Sequence, residues 1–294
     1  MDIRYEEWLP DSSALAALVP AYWRVSGDGS HVPSSAVLPD GHVELVFNLG
    51  APVGLSGPAY RGDQPQRAVV GPLSKALRLE YQGPVDTFGI RFHPARGAGF
   101  FGRLATQVVE KLLPLAEVSA NLDRAVARLL AEHPNAGSDV FRAALDQVLL
   151  QQLPLALPPD TEVIAMVDRL AGSDSLPPVA QIARELGIST RQLQRRFLAA
   201  VGMAPKRFVR VLRFARVWQL ASMSPRETWA GLAAAHGYSD QAHLVREFRA
   251  FGAEPPTHIF TSQWYDATGL ARLSGPAQGV RFVQDSGGKT RYHR

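Results

Sequence analysis

Three side chains able to make paired hydrogen bonds stand at Arg191, Gln194 and Arg195, and the spacing i, i+3, i+4 places them on one face of a helix. A guanidinium fits guanine O6 and N7 bidentately and a glutamine amide can pair with adenine, each contact worth about 1–3 kcal/mol of base discrimination. A second outward set follows at Gln241, Ala242, His243 and Arg246. Each set lies in nearly the same phrase, "ISTRQLQRRFLAAVG" at 188–202 and "YSDQAHLVREFRAFG" at 238–252. Arg196, Lys206, Arg207 and Arg210 are placed to touch phosphates, contacts that position a duplex without specifying it.

Elements that hold such sets can be read around them. In both phrases a helix ends at a glycine, Gly187 or Gly237, where a left-handed residue turns the chain. One apolar residue follows, and a capping side chain opens the next helix: Ser189 in the first, Ser239 or Asp240 in the second. Leu193 and Phe197, then Leu244 and Phe248, with Val201 or Gly252 beyond, form the buried stripe and turn the polar sets outward. Val245 lies among the outward positions and is equally suited to packing. This is a helix-turn-helix written twice, the units joined by the long basic segment "APKRFVRVLRFARVWQLAS" with Pro205 in its first turn.

Charge is distributed to match. Residues 1–159 carry 13 Lys and Arg against 16 Asp and Glu, and residues 160–265 carry 13 against 9. Nine Lys and Arg fall between Leu186 and Arg226 with no acid among them, whereas a merely solvated surface mixes both signs. That half seeks a polyanion. Cysteine is absent, which excludes disulfides, thiolate nucleophiles and cysteine zinc sites. No long uninterrupted apolar run or signal-peptide pattern is present, so a cytoplasmic protein with no membrane partner is expected.

Up to about residue 100 the text is strand-like, short apolar runs cut by Gly, Pro, Asp and Asn. In "HVELVFNLG" Val43, Leu45, Phe47 and Leu49 take one face, and His42, Glu44, Val46 and Asn48 the other. Two helices follow from Asn121, their stripes Leu122, Val126, Leu129 and Phe141, Leu145, Leu149 either covering the strands or forming a dimer contact. The expected fold is α+β in two domains: a small cupin-like β-barrel with two trailing helices at 1–153, a Pro-rich linker at 154–160, an all-α double helix-turn-helix at 161–265 and a flexible basic tail at 266–294, in which "VRFVQ" is readable as a late strand.

A ligand site in the front half has three readings. His42 and Glu44, with His31 and His93 near, could hold a metal, though no His-x-His pair is present, so no metal or other cofactor is expected. Alternatively His42, Glu44 and Asn48 are a solvated or pocket-lining polar face. Arg91, His93 and Arg96 in "RFHPARGAGFFG" either hold an anion or form a structural turn. The candidate effector pocket is therefore His42, Glu44, Asn48, Arg91 and His93.

The stretch from about Thr161 to Phe260 resembles the DNA-binding domain of AraC/XylS-type transcription regulators, most specifically in "GYSDQAHLVREFRAFGAEPPTHI". The front half, through "LPDGHVELVFNLG" and "GIRFHPARGAGFFG", is similar to a regulatory domain found in part of that family. The resemblance implies base-edge contacts from Arg191, Gln194, Arg195, Gln241, Ala242, His243 and Arg246, with Ser189 and Ser239 joining the phosphate contacts. It further implies a promoter or operator as partner, a homodimer, a small-molecule effector and RNA polymerase as possible partners, and no catalytic residue. Ala242 departs from an even reading, since it offers a base only an apolar contact, and Pro256-Thr257-His258 stands where a small residue and an aromatic are common. The competing class is a metal-dependent enzyme built on the front barrel with an accessory DNA-binding domain. Alkyl-transfer repair, known in related architectures, needs a cysteine the chain lacks.

Overall fold

A computed structural model describes residues 4–28, 35–58, 60–173, 176–223, 228–252, 281–284 and 290–293. The strands are β1 (Arg4–Trp8), β2 (Ala21–Gly27), β3 (Ser35–Val37), β4 (Val43–Asn48), β5 (Val53–Ser56), β6 (Arg61–Asp63), β7 (Arg67–Val70), β8 (Leu77–Tyr81) and β9 (Val85–Phe92). Single-turn helices α1 (Gly97–Phe100) and α2 (Ala105–Val108), strand β10 (Leu112–Pro114) and α3 (Leu115–Val118) lead to α4 (Ala120–Glu132) and α5 (Asp139–Gln152). After the connector come α6 (Thr161–Gly172), α7 (Val179–Glu185), α8 (Thr190–Val201), α9 (Pro205–Met223), α10 (Trp229–Ala235) and α11 (Gln241–Gly252). Within the stretch read as a tail, β11 (Arg281–Gln284) and β12 (Thr290–His293) are added to the edge at β1. His31 and the segment holding Pro256, Thr257 and His258 lie outside the described residues.

The front half is β-rich, but its barrel is not closed. An eight-stranded antiparallel sheet runs β10-β7-β4-β9-β2-β1-β11-β12, and a separate four-stranded sheet runs β3-β8-β5-β6. Val53, Leu55, Leu77 and Leu79 of the small sheet share a core with Ala68 and Leu112 of the large one, so the sheets face each other as an open sandwich. On the opposite face of the large sheet, Val43, Leu45, Phe47, Phe88 and Ile90 pack with Leu122, Val126, Leu129, Phe141, Leu145 and Leu149. The apolar stripes of α4 and α5 thus cover the sheet. Serines cap both helices, Ser119 accepting from the Leu122 amide and Ser138 from the Phe141 amide.

β4 alternates as its sequence dictates, with a consequence the alternation alone does not reveal. All six of its residues are buried, because the small sheet and neighbouring strands roof the face carrying Glu44, Val46 and Asn48. A solvated polar face is ruled out.

The helical half packs around α9, whose Phe208 meets Phe197 of α8 edge-on at 5.4 Å and whose Phe214 meets Phe248 of α11 at 4.9 Å. The same core takes in Ala36, Leu38, Ala76 and Ala95 from the front half. Polar contacts cross with it: the Ala76 amide donates to Phe251 O at 2.7 Å, and His93 Nε2 lies 2.9 Å from Asp168 Oδ1.

Candidate nucleic-acid interface

The two units are built alike down to their hydrogen bonds. Gly187 has φ +66° and Gly237 φ +71°, a conformation that costs a side-chain-bearing residue about 1 kcal/mol or more. The amide of the next residue then reaches back five positions, Ile188 to Ala183 O at 3.1 Å and Tyr238 to Ala233 O at 3.0 Å, closing the helix end in a Schellman pattern. Ser189 Oγ accepts from the Gln192 amide while Gln192 Oε1 accepts from the Ser189 amide at 2.9 Å, a reciprocal capping box. In the second unit the cap is Asp240, whose Oδ1 accepts from the His243 amide at 2.6 Å. That bond holds the Asp240 carboxyl below its ordinary range. Replacing Ser189 with alanine is expected to cost about 1 kcal/mol in urea unfolding of the full chain; an unchanged transition would mean that α8 does not depend on its cap.

Leu193, Phe197 and Val201 are buried in α8, and Leu244, Phe248 and Phe251 in α11. Outward from these, Arg191, Gln194, Arg195, Gln241, Ala242 and Arg246 are exposed, and His243 and Val245 are half-buried. No hydrogen bond or ion pair holds Arg191, Gln194, Arg195, Gln241 or Arg246 among the described residues. His243 is braced edge-on against Tyr238 at 5.2 Å and close to Ser239 Oγ at 3.3 Å.

The basic run behaves differently from a solvated stripe. Arg207 donates to Ser74 O at 3.1 Å, Arg210 grips Glu247 at 2.7 Å, Arg213 lies 5.5 Å over the Tyr238 ring, and Arg216 donates to Leu170 O at 2.6 Å. Arg196 makes two bonds to Asp160, at 2.7 and 2.6 Å, and also meets Glu162; its hydrogen bonds hold the Asp160 carboxyl down. Of the residues expected on phosphates, Arg196, Arg207 and Arg210 are therefore engaged within the chain, while Lys206 is exposed. Glu247 escaped the sequence reading. It stands at i+3 between Leu244 and Phe248 on the apolar stripe and is buried to 6% exposure, and an acid in that register requires a cation.

Polar residues of the front half converge in one buried cluster. Arg91 Nε donates to Glu44 Oε1 at 3.0 Å and lies 3.8 Å from Asp40 Oδ2, and His42 Nδ1 lies 3.1 Å from the same oxygen. Tyr5 donates to Glu7 Oε2 at 3.0 Å beside them. Burial raises the Glu44 carboxyl despite Arg91. Burial acts on Asp40 in the same direction, but His42 and Arg91 bring it below its ordinary range. Asn48 turns aside to its own loop, donating to Ala51 O at 3.0 Å, and His93 turns to the helical half. Desolvation lowers the His93 pKa against the opposing pull of Asp168. The five expected pocket residues thus divide: His42, Glu44 and Arg91 meet, His93 lies within electrostatic reach of His42 but bonds to Asp168, and Asn48 turns away. Asp40, the missed member, was legible only as a neighbour of His42.

Residues 7–114 match a domain of unknown function, DUF6597, and residues 182–262 match a helix-turn-helix domain. No curated protein matches the chain by sequence. Among solved structures, an apo ToxT variant from Vibrio cholerae aligns at 10% identity with a TM-score of 0.46 over 86% of this chain and 99% of that one. A second ToxT structure from Vibrio cholerae aligns at 12% identity, TM-score 0.45, over 82% and 96%. No described helix is long and apolar enough to cross a membrane. With two glycine-turned units of one design about a shared central helix, residues 182–262 are a helix-turn-helix domain of the AraC/XylS type.

Proposed function

We propose that this chain is a sequence-specific transcription regulator that lays α8 and α11 into successive major-groove segments of one DNA face. One observation carries the reading: two equivalent helices present Arg191, Gln194 and Arg195, and Gln241, Ala242 and Arg246, outward, while every arginine from 207 to 216 on the helix between them has a partner inside the chain. Arginines left without a partner among the described residues on the two reading helices, while those of the connecting helix are engaged inside the chain, stay open to an external acceptor. The 19 residues of α9 span roughly 28 Å, commensurate with the approximately 34 Å between neighbouring major-groove faces. Phosphate contact falls to Lys206 and to the hydroxyls of Ser189 and Ser239. The front domain serves as the receiving side, taking a small molecule or a second copy of the chain.

Selection of duplexes from a random library by the full chain tests this. Enrichment of two short sequence blocks about 10 base pairs apart is the expected result, with affinity falling on a log–log salt plot by about 0.9 per neutralised phosphate. A single block would restrict reading to one unit. No enrichment would overturn the proposal.

A further inference from the structure

In the arrangement proposed above, α11 meets DNA with a poorer set of donors than α8. Counted from the first buried leucine of each helix, Leu193 and Leu244, Ala242 stands where α8 carries Arg191, and His243 where it carries Gln192. Without the early arginine, the opening turn of α11 has only Gln241 and the imidazole of His243 to offer a base. What an imidazole can read depends on which of its nitrogens holds the proton.

The turn before α11 decides where that proton sits. The Ser239 amide donates to His243 Nδ1 at 3.4 Å, and Ser239 Oγ lies 3.3 Å from the same nitrogen. A backbone N–H can only donate, so the ring atom facing it is the bare nitrogen; a proton there would meet the amide proton head-on. The contact repeats, with a ring in place of an amide, the capping box of α8, where Gln192 Oε1 reaches back to the Ser189 amide at 2.9 Å. Two further contacts fix the imidazole. Asp240 Oδ1 accepts from the His243 amide at 2.6 Å, and the Tyr238 ring, itself buried, meets the imidazole edge-on at 5.2 Å. Nε2 lies on the far side of the ring from Nδ1 and has no hydrogen bond among the described residues.

We infer that the Ser239 amide locks His243 as the Nε2–H tautomer, a single outward donor, and that His243 thereby reads guanine in the DNA block contacted by α11. The lock stands on the turn alone; the reading rests on the DNA-binding role proposed above. Guanine fits because it sets two acceptors, O6 and N7, side by side on the major-groove edge. Adenine places its amino group beside N7, and cytosine offers only an amino donor. An imidazole free to carry its proton on either nitrogen would lose the discrimination, since its bare nitrogen could accept from those amino groups.

Two measurements on the full chain test this. Long-range proton–nitrogen NMR with isotope-labelled histidine, at about pH 8 where imidazoles are ordinarily neutral, reads the tautomer directly. The bare nitrogen of His243 is expected at Nδ1, its signal assigned by its loss in His243→Phe; a proton on Nδ1 overturns the lock. Selection of duplexes from a random library then compares the chain with His243→Phe, which keeps a ring against Tyr238 but has no donor. One guanine position of the α11 block, preferred about threefold to tenfold through a single hydrogen bond, should lose its preference, while positions read by Arg246 and by α8 keep theirs. His243→Ala should relax the same position. A guanine preference that survives in His243→Phe, or relaxation at a position that was not guanine, overturns the reading. Should the unaltered chain enrich no sequence while Nδ1 is bare, the proposed function fails and the reading with it, and the lock stands.

Discussion

Arg195→Ala is expected to lower affinity for a selected DNA site roughly tenfold to a hundredfold, the range for losing one bidentate base contact, while affinity for scrambled duplex falls only slightly. The substitution should not disturb folding. Arg195 is exposed and unpaired, and alanine is the better helix former by a few tenths of a kcal/mol. Lys206→Ala is the complementary case: it should weaken all duplexes about equally and reduce the salt slope by about 1. Arg207, which the sequence alone places on a phosphate, makes a poorer test because its guanidinium also holds the Ser74 carbonyl across the domain interface. Anisotropy titrations over a salt series separate the effects. Equal losses for Arg195→Ala on selected and scrambled DNA would remove it from the base-reading set.

The largest effect on stability is expected from Arg91→Met. The guanidinium is buried, as are Glu44, Asp40 and Glu7 around it, and deleting the cation leaves carboxylates with reduced compensation in a low-dielectric core. Breaking such a pair costs about 3–5 kcal/mol, readable by urea unfolding at neutral pH. The pH dependence gives a second check. Glu44 already has a folded pKa raised above its ordinary value of 4.5 by burial, so its contribution to stability is fully present below the unfolded value and lost as pH rises through the folded one. Without Arg91 the folded value rises further, and the deficit should therefore shrink as pH is lowered toward 5. Asp40 works in the opposite sense, being held low in the fold, so its contribution is lost as pH falls through its folded value, below the window in which Glu44 recovers. A variant equally impaired at every pH would mean that packing around Arg91, rather than its charge, supports the sandwich.

Much of the helical half was legible because its determinants are local. A period of 3.6 marked Leu193, Phe197, Leu244 and Phe248 as buried, and two glycines marked the turns because a left-handed backbone is inexpensive only for glycine. The same pattern turned Arg191, Gln194 and Arg195 outward without reference to any other part of the chain. Alternation likewise separated the faces of β4, since successive side chains on a strand must oppose each other.

What the sequence could not decide were pairings between distant segments. Whether a polar strand face meets water or a second sheet depends on how far strands pack, and β4 carried no mark of the roof that buries Glu44. Arginines at 207, 210, 213 and 216 read as one basic stripe, yet their partners lie at Ser74, Glu247, Tyr238 and Leu170, because a guanidinium on a long stem takes whichever acceptor packing brings within reach. The cleft of about 610 Å³ lined by Arg96, Arg103, Arg195 and Arg196 is a tertiary object altogether. Its arginines come from α8 and from the α1 segment roughly a hundred residues earlier, and only the docking of the two halves, with the linker pinned at Gly99, places their charges around one apolar space.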